Sequence, residues 1–346
     1  MSAGVEAALR GGIATGVGSW PGTDPREAAA TVVGELPGLA HLVELPGRGV
    51  GADLVGRGCA LLVDLPFDST TRGYRFAARA GGVARQARDL LRTDLDALEE
   101  AWEKAGAPGS GRVVKVQAAG VLTLAAEVEL GHGHRVLTDS GARRDLAESL
   151  AEGLARHVAE VGKRLNAPVV LQLDEPLAGA VLEGSLRGVS VLDTVRSLPE
   201  PEALDLLDTV IRAQSVPVVV HSCAEPPPLS LFRSSAAGAL AIDVGVLRTA
   251  DLDGVGETLD AGKMLVLGLV PSTAPAGKPG WRELAEPGVR LVDRLGFPRR
   301  TLAERVLVSP ACGLAGATPE WARRALDLTA DIARAYTEEP ETLGAE

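Results

Sequence analysis

The chain has 346 residues, of which 46% are hydrophobic and 23% charged, a balance that excludes a disordered polypeptide. Its net charge is −11 and only 3% of residues are aromatic. Together these exclude a basic groove for nucleic acid and a base-stacking platform.

Short apolar runs recur along the chain, each followed by Gly, Pro or polar punctuation and then by a helical stretch. The first lies at 13–17 (Ile-Ala-Thr-Gly-Val). Asp24-Pro25-Arg26-Glu27 then supplies an N-cap, a first-turn proline and an acidic third position for a helix. A second run at 40–45 (Ala-His-Leu-Val-Glu-Leu) precedes the stretch 46–112, which is too long for one crossover. That stretch predicts a substrate-covering insertion followed by a helix at about 82–105. Next come a strand at 113–118 (Val-Val-Lys-Val-Gln-Ala) and a helix over 139–165. The apolar positions 146, 150, 154, 158, 161 and 165 of that helix form one stripe. Further strands are predicted at 168–174, 216–221, 239–243, 264–270 and 306–309. Thr318-Pro319-Glu320 opens a last helix that runs to about Tyr336, and the tail from Thr337 is expected to fray. Apolar runs of this length, separated by helices, indicate parallel strands. Eight of them close an α/β fold, a single (β/α)8 TIM barrel over residues 1–346. No repeat or linker divides the chain.

Cys59, Cys223 and Cys312 are too few and too scattered for a disulfide framework. No apolar run of signal-peptide length follows the N-terminus, and none approaches the length of a membrane span. The expectation is a soluble cytoplasmic protein with reduced thiols and neither a membrane nor a nucleic-acid partner. Cys59, in Gly-Arg-Gly-Cys-Ala-Leu-Leu, reads as buried and inert. His132 and His134 read as members of a loop.

In a barrel of this kind the chemistry sits at the C-terminal ends of the strands. Gly18-Ser19 follows the first strand, Glu44 lies near the end of the second, and Gln117 lies in the third. Asp174-Glu175-Pro176 ends the fourth, His221-Ser222-Cys223 the fifth, Asp243 the sixth, and Cys312 follows the eighth. So many polar groups at the ends of apolar strands point to one site, because each is costly to bury alone. His221, Cys223 and Cys312 carry the donor atoms of a zinc site, with Asp243 the nearest carboxylate by topology. The same residues also read as a strand cap, two small core cysteines and a solvated strand end. Asp174 and Glu175 could serve in acid–base chemistry or hold an ammonium group, or simply end a strand at Pro176. The glycine-rich turn 16–21 could offer N–H groups to a carboxylate or phosphate.

The motifs His221-Ser222-Cys223, Pro310-Ala311-Cys312-Gly313-Leu314, Leu173-Asp174-Glu175-Pro176 and Gly18-Ser19-Trp20-Pro21 together resemble cobalamin-independent methionine synthase. The resemblance spans essentially the whole chain and covers only the C-terminal catalytic barrel of the full-length enzymes. It implies a zinc ion (Zn2+) held by His221, Cys223 and Cys312, with Asp243 where the family has a glutamate. It also implies homocysteine as substrate, its carboxylate near Gly18 and Ser19 and its ammonium against Glu44 and Asp174. The implied reaction transfers a methyl group from methyltetrahydrofolate or a methyl-corrinoid protein to the homocysteine thiol, forming methionine. Two family features are missing. No histidine follows the seventh strand, where the chain reads Gly268-Leu269-Val270-Pro271-Ser272-Thr273. No tryptophan stands in the third-strand loop, Ala119-Gly120-Val121-Leu122-Thr123. Both losses favour a corrinoid donor, since a cobalt-bound methyl needs no proton on its leaving group while an amine does. The alternatives are a related barrel that acts on another thiol such as coenzyme M, or decarboxylates a porphyrin, and a metal- or amino-acid-binding barrel without catalysis.

Overall fold

The structure is a computed structural model that describes residues 9–188 and 194–343. In chain order its strands are β1 (Leu39–His41), β2 (Phe67–Thr70), β3 (Gly73–Phe76), β4 (Val113–Ala119), β5 (Val169–Asp174), β6 (Val218–Ser222), β7 (Ala239–Asp243), β8 (Met264–Val270) and β9 (Val306–Pro310). β2 and β3 form an antiparallel hairpin, and the other seven form one parallel sheet in the order β1-β4-β5-β6-β7-β8-β9.

Residues 14 and 15 close this sheet on itself. Ala14 pairs in parallel with Val308 of β9, and Thr15 with Leu39 of β1. The Thr15 N–H donates to Val308 O at 2.9 Å, and its Oγ1 donates to Leu39 O at 3.0 Å. The first strand expected at 13–17 is therefore a short staple bridged at Ala14 and Thr15, with Gly12 N donating to Val306 O and Val308 N to Ile13 O, and the eighth stave of a TIM barrel is present in reduced form. Its pairing is interrupted at Gly16, which passes directly over His41, where a Cβ would stand 2.2 Å from His41 Nε2, and resumes where Ser19 bridges Glu44. The second expected strand, 40–45, is likewise shortened, because the chain changes partners. Leu42 N still donates to Lys115 O, whereas Glu44 N donates to Gly18 O and Trp20 N to Glu44 O.

Side chains alternate across each strand, so one set points into the barrel and the other toward the helices. Inside, Leu39, Val170, Val219, Ala239, Ala241, Val266 and Leu307 pack with Leu9 into a small apolar plug. The larger core lies between the strands and the surrounding helices. Following the inward set toward the strand ends, β4 reads Val113, Lys115, Gln117, and β5 reads Val170, Gln172, Asp174. On β6 the series is Val219, His221, and it continues to Cys223 just past the strand. On β4, β5 and β6 the barrel interior thus turns from apolar to polar within two residues, and this positions the site.

Helix Ser140–Leu165 buries all six apolar positions of the expected stripe. The segment between β1 and β4 holds helix Leu54–Leu61, the β2–β3 hairpin and helix Gly82–Lys104. The last helix, capped by Thr318, extends to Glu338. Arg299 donates from its guanidinium to the carbonyls of Glu341 and Leu343 in the tail, while 344–346 lie outside the described residues. Among the described residues no helix is long and apolar enough to cross a membrane.

Candidate active site

The C-terminal ends of the strands open into a cleft of about 260 Å³. It is lined by Gly18, Ser19, Glu44, Asp174, His221, Cys223, Cys312 and Gly313, with Pro46, Ala52 and Leu54 on the wall contributed by the segment after β1. Seven of the eight residues expected in the site from sequence lie here. Asp243 does not line the cleft.

His221, Cys223 and Cys312 form a cluster that could hold a metal ion, their donor atoms all within 4.8 Å of one another. His221 is buried on β6, and its Nδ1 lies 2.7 Å from Asp174 Oδ1. A carboxylate accepts only, so Nδ1 carries the proton and Nε2 is left as a lone-pair donor. Nε2 is buried and has no partner among the described residues. This is the arrangement of a metal-ligating histidine, whose second ring nitrogen is oriented by a carboxylate. Cys223 Sγ lies 2.8 Å from Cys312 Sγ. An S–H donated from Cys223 holds the Cys312 thiol down to about 6 and pushes that of Cys223 well above the usual range. One His nitrogen and two sulfurs are a donor set that suits zinc. Asp243 stands outside this three-residue cluster. Its Oδ1 accepts from Gly245 N at 2.7 Å and so caps the short turn that follows β7.

On the other side of the cleft Glu44 is buried, and its Oε1 has no hydrogen-bond partner among the described residues. Burial pushes its carboxyl up to about 6, opposed by Arg57. Arg57, at 3% exposure, holds its Nε 3.6 Å from Glu44 Oε1. Its Nη1 pairs with the buried Asp94, which also receives Arg48 Nη2 at 2.7 Å. Four charges of alternating sign therefore stand behind the cleft wall. The backbone turn at Gly18 is fixed by close packing, since a Cβ there would stand 2.8 Å from the Gln117 side chain. Among the described residues neither the Gly18 nor the Ser19 N–H meets a protein acceptor, so both remain for a ligand anion. Gly313 approaches the same turn: a Cβ on it would fall 2.0 Å from Ser19 Oγ, and Leu314 N donates to Ser19 O at 2.9 Å.

The two acids of Asp174-Glu175 have separate tasks. Asp174 faces the cleft. Glu175 points away and accepts from Leu122 N (2.9 Å), Thr123 N (2.7 Å) and Thr123 Oγ1 (2.7 Å), anchoring the turn after β4. Burial pushes its carboxyl up to about 7 against those three donors. Gln117 donates to Leu42 O at 2.7 Å. Cys59 is fully buried with its thiol pushed up, and His132 and His134 meet edge to face in an exposed loop, as expected for residues outside the site.

Over residues 13–335 the chain matches the family model described as the cobalamin-independent synthase catalytic domain. It belongs to that family. Two solved structures share the fold of this synthase domain. A B12-independent methionine synthase from Shewanella sp. W3-18-1, in complex with selenomethionine, is 12% identical, covers 95% of this chain and 98% of its own, and superposes with a TM-score of 0.58. A methyltransferase from Methanosarcina mazei is 15% identical, covers 95% of this chain and 96% of its own, and has a TM-score of 0.54. A search of curated protein sequences finds no match.

The sequence reading of this synthase domain missed four residues that the fold brings to the site. Lys115 and Gln172 break apolar strands at inward positions, a period-two signal that was available. Arg57 and Asp94 lie on helices, where charges ordinarily mark solvent, and nothing in their spacing gives away their burial.

Proposed function

We propose that this chain transfers a methyl group to the thiol of L-homocysteine to form methionine, with zinc held by His221, Cys223 and Cys312. The observation that carries this reading is the buried, unpartnered Nε2 of His221, facing two cysteines in the same cleft as Glu44, Asp174 and the Gly18–Ser19 turn. Asp243 is the proposed fourth ligand; one of its oxygens is already engaged by Gly245. When bound, zinc lowers the pKa of a thiol enough for the nucleophilic thiolate to exist at neutral pH.

The chain's own residues do the rest. Glu44 and Asp174 receive the substrate ammonium, and the Gly18 and Ser19 N–H groups receive its carboxylate. Held at both ends, the substrate presents its sulfur to the cysteine side of the cleft, and transfer becomes an in-line displacement whose rate depends on position. Two carboxylates suit an amino-acid thiol better than a sulfonate thiol such as coenzyme M, which brings no ammonium to pair with them.

The reading extends to the donor. In the turn after β4, Val121, Leu122 and Thr123 are buried and the last two are tied to Glu175, so this turn presents no aromatic face for a pterin. The loop after β8 carries no histidine to protonate a leaving amine. The test is to assay methionine formation by the purified, zinc-loaded chain with methyltetrahydrofolate and with methylcobalamin, side by side. Turnover with methylcobalamin well above that with methyltetrahydrofolate is expected. Efficient use of the folate would overturn the donor assignment, and no methionine with either would overturn the substrate assignment.

A further inference from the structure

Beneath the cleft, inside the barrel, lies a lysine that the sequence reading did not use. Lys115 is 1% exposed. Its Nζ has three protein partners: Gly16 O at 2.6 Å, Val17 O at 3.0 Å, and Gln172 Oε1. The Gln172 amide is oriented by its other end, because Nε2 donates to Val17 O at 2.9 Å and to Asp174 Oδ1 at 2.7 Å, both of them acceptors. All three partners of Lys115 are therefore acceptors. A neutral amine would set a lone pair against one of them, whereas an ammonium donates once to each. The geometry holds Lys115 as a saturated ammonium even though burial draws it down to about 8. With every proton engaged it is not placed to act as a base or a nucleophile.

The bonds lead in two directions. Through Gln172 the path continues to Asp174 Oδ1, which receives His221 Nδ1 at 2.7 Å. Through the carbonyls of Gly16 and Val17 it reaches the residues that immediately precede the Gly18–Ser19 turn. One buried cation is thus bonded to both halves of the cleft.

We propose that Lys115 is the positioning residue of this site. Through Gln172 it fixes Asp174 as the acceptor for His221 Nδ1, so that Nε2 is presented to the metal, and through Gly16 and Val17 it holds the Gly18–Ser19 turn in register with that metal. The inference rests on the reading of His221, Cys223 and Cys312 as a zinc site. Removing the lysine leaves the Gln172 carbonyl without a donor, and the amide is then free to turn and release Asp174. Loss of the group that orients a ligating histidine costs about 10- to 100-fold in metal affinity. The lysine also supplies a positive charge near Glu44 and Asp174 in a region of low dielectric. A lysine that merely filled the barrel would affect melting temperature and leave metal affinity alone.

The test compares zinc affinity in the unaltered chain, Lys115→Met, Gln172→Leu and Lys115→Arg, by competition with a chromophoric chelator. The visible spectrum of the Co2+-substituted proteins gives a second readout of ligand geometry. Lys115→Met and Gln172→Leu are each expected to weaken zinc binding by about 10- to 100-fold and to alter the cobalt bands, with Lys115→Arg recovering part of the loss. Gln172→Leu keeps the lysine on Gly16 and Val17, so it reports on the path to His221 even if Lys115→Met does not fold. Unchanged zinc affinity and cobalt bands in folded Gln172→Leu would overturn the inference alone. Absence of zinc binding by the unaltered chain would overturn the zinc reading, and this inference with it.

Discussion

Replacing Asp94 with Asn keeps the shape of the side chain and removes its charge, which tests the buried cluster behind Glu44. Asp94 Oδ2 receives both Arg48 and Arg57, and the side chains of Asp94 and Arg57 are 1% and 4% exposed. At the 2.7 Å separation of Arg48 from Asp94 the gross attraction is about 6 kcal/mol for an effective dielectric near 20. Most of that offsets desolvation in the intact cluster. Once the anion is gone, Arg57 remains buried with Glu44 as its one carboxylate partner among the described residues and Arg48 loses its carboxylate, and such a loss costs about 3–5 kcal/mol. For a chain of 346 residues, at roughly 2.1 cal/mol/K of unfolding entropy per residue, this is a fall of about 4–7 °C in melting temperature. Differential scanning calorimetry reads it directly. The variant is also expected to bind homocysteine more weakly, because Arg57, freed from Asp94, competes with the substrate ammonium for Glu44. A fall of less than about 1 °C with unchanged homocysteine affinity would refute the argument that this is a desolvated charge network coupled to the cleft.

Cys312→Ser is expected to lose most of its zinc, measured as metal per chain after dialysis, since a serine hydroxyl is not a thiolate donor; full retention would remove Cys312 from the ligand set. Homocysteine binding should be strongest with Glu44 ionised. Because burial pushes that carboxyl up to about 6, affinity should fall as pH drops through about 6. Calorimetric titrations of Glu44→Gln should lack this step while zinc content stays unchanged, and a step of the same size in both proteins would assign it elsewhere. Glu175→Ala leaves the buried N–H groups of Leu122 and Thr123 without an acceptor, at a cost of about 2–6 kcal/mol in urea unfolding; a loss under about 1 kcal/mol would show that water or another group replaces the carboxylate.

The strands were legible where apolar residues run without interruption. The expected 239–243 and 264–270 coincide with β7 and β8, and 113–118 falls one residue short of β4. Legibility failed where pairing depends on a change of partner. Residues 13–17 and 40–45 have the composition of strands, yet glycine at 16 and 18 and the switch from Lys115 to Gly18 shorten both. The site followed the same division. His221, Cys223, Cys312, Glu44 and Asp174 announce themselves as polar groups ending apolar runs. Asp243 has the same signature, but its place relative to the cluster depends on a local turn at Gly245 that spacing does not encode. The supporting charges at Arg57 and Asp94 become intelligible only when two helices are seen to bury them together.

The staple at Ala14 and Thr15 joins segments roughly 300 residues apart in the chain, which has a consequence during synthesis on the ribosome. A nascent chain that has emerged only as far as residue 300 contains His221 and Cys223, but it lacks both Cys312 and the strand onto which residues 14 and 15 dock. Until then the N-terminal segment has one of its two neighbours missing, and the edges of the sheet stand open. The two cysteines meet only after the last stave is in place, in the same step that brings Gly313 against Ser19. The complete donor set therefore depends on the last strand, and a chain still on the ribosome cannot assemble it until residue 312 has emerged.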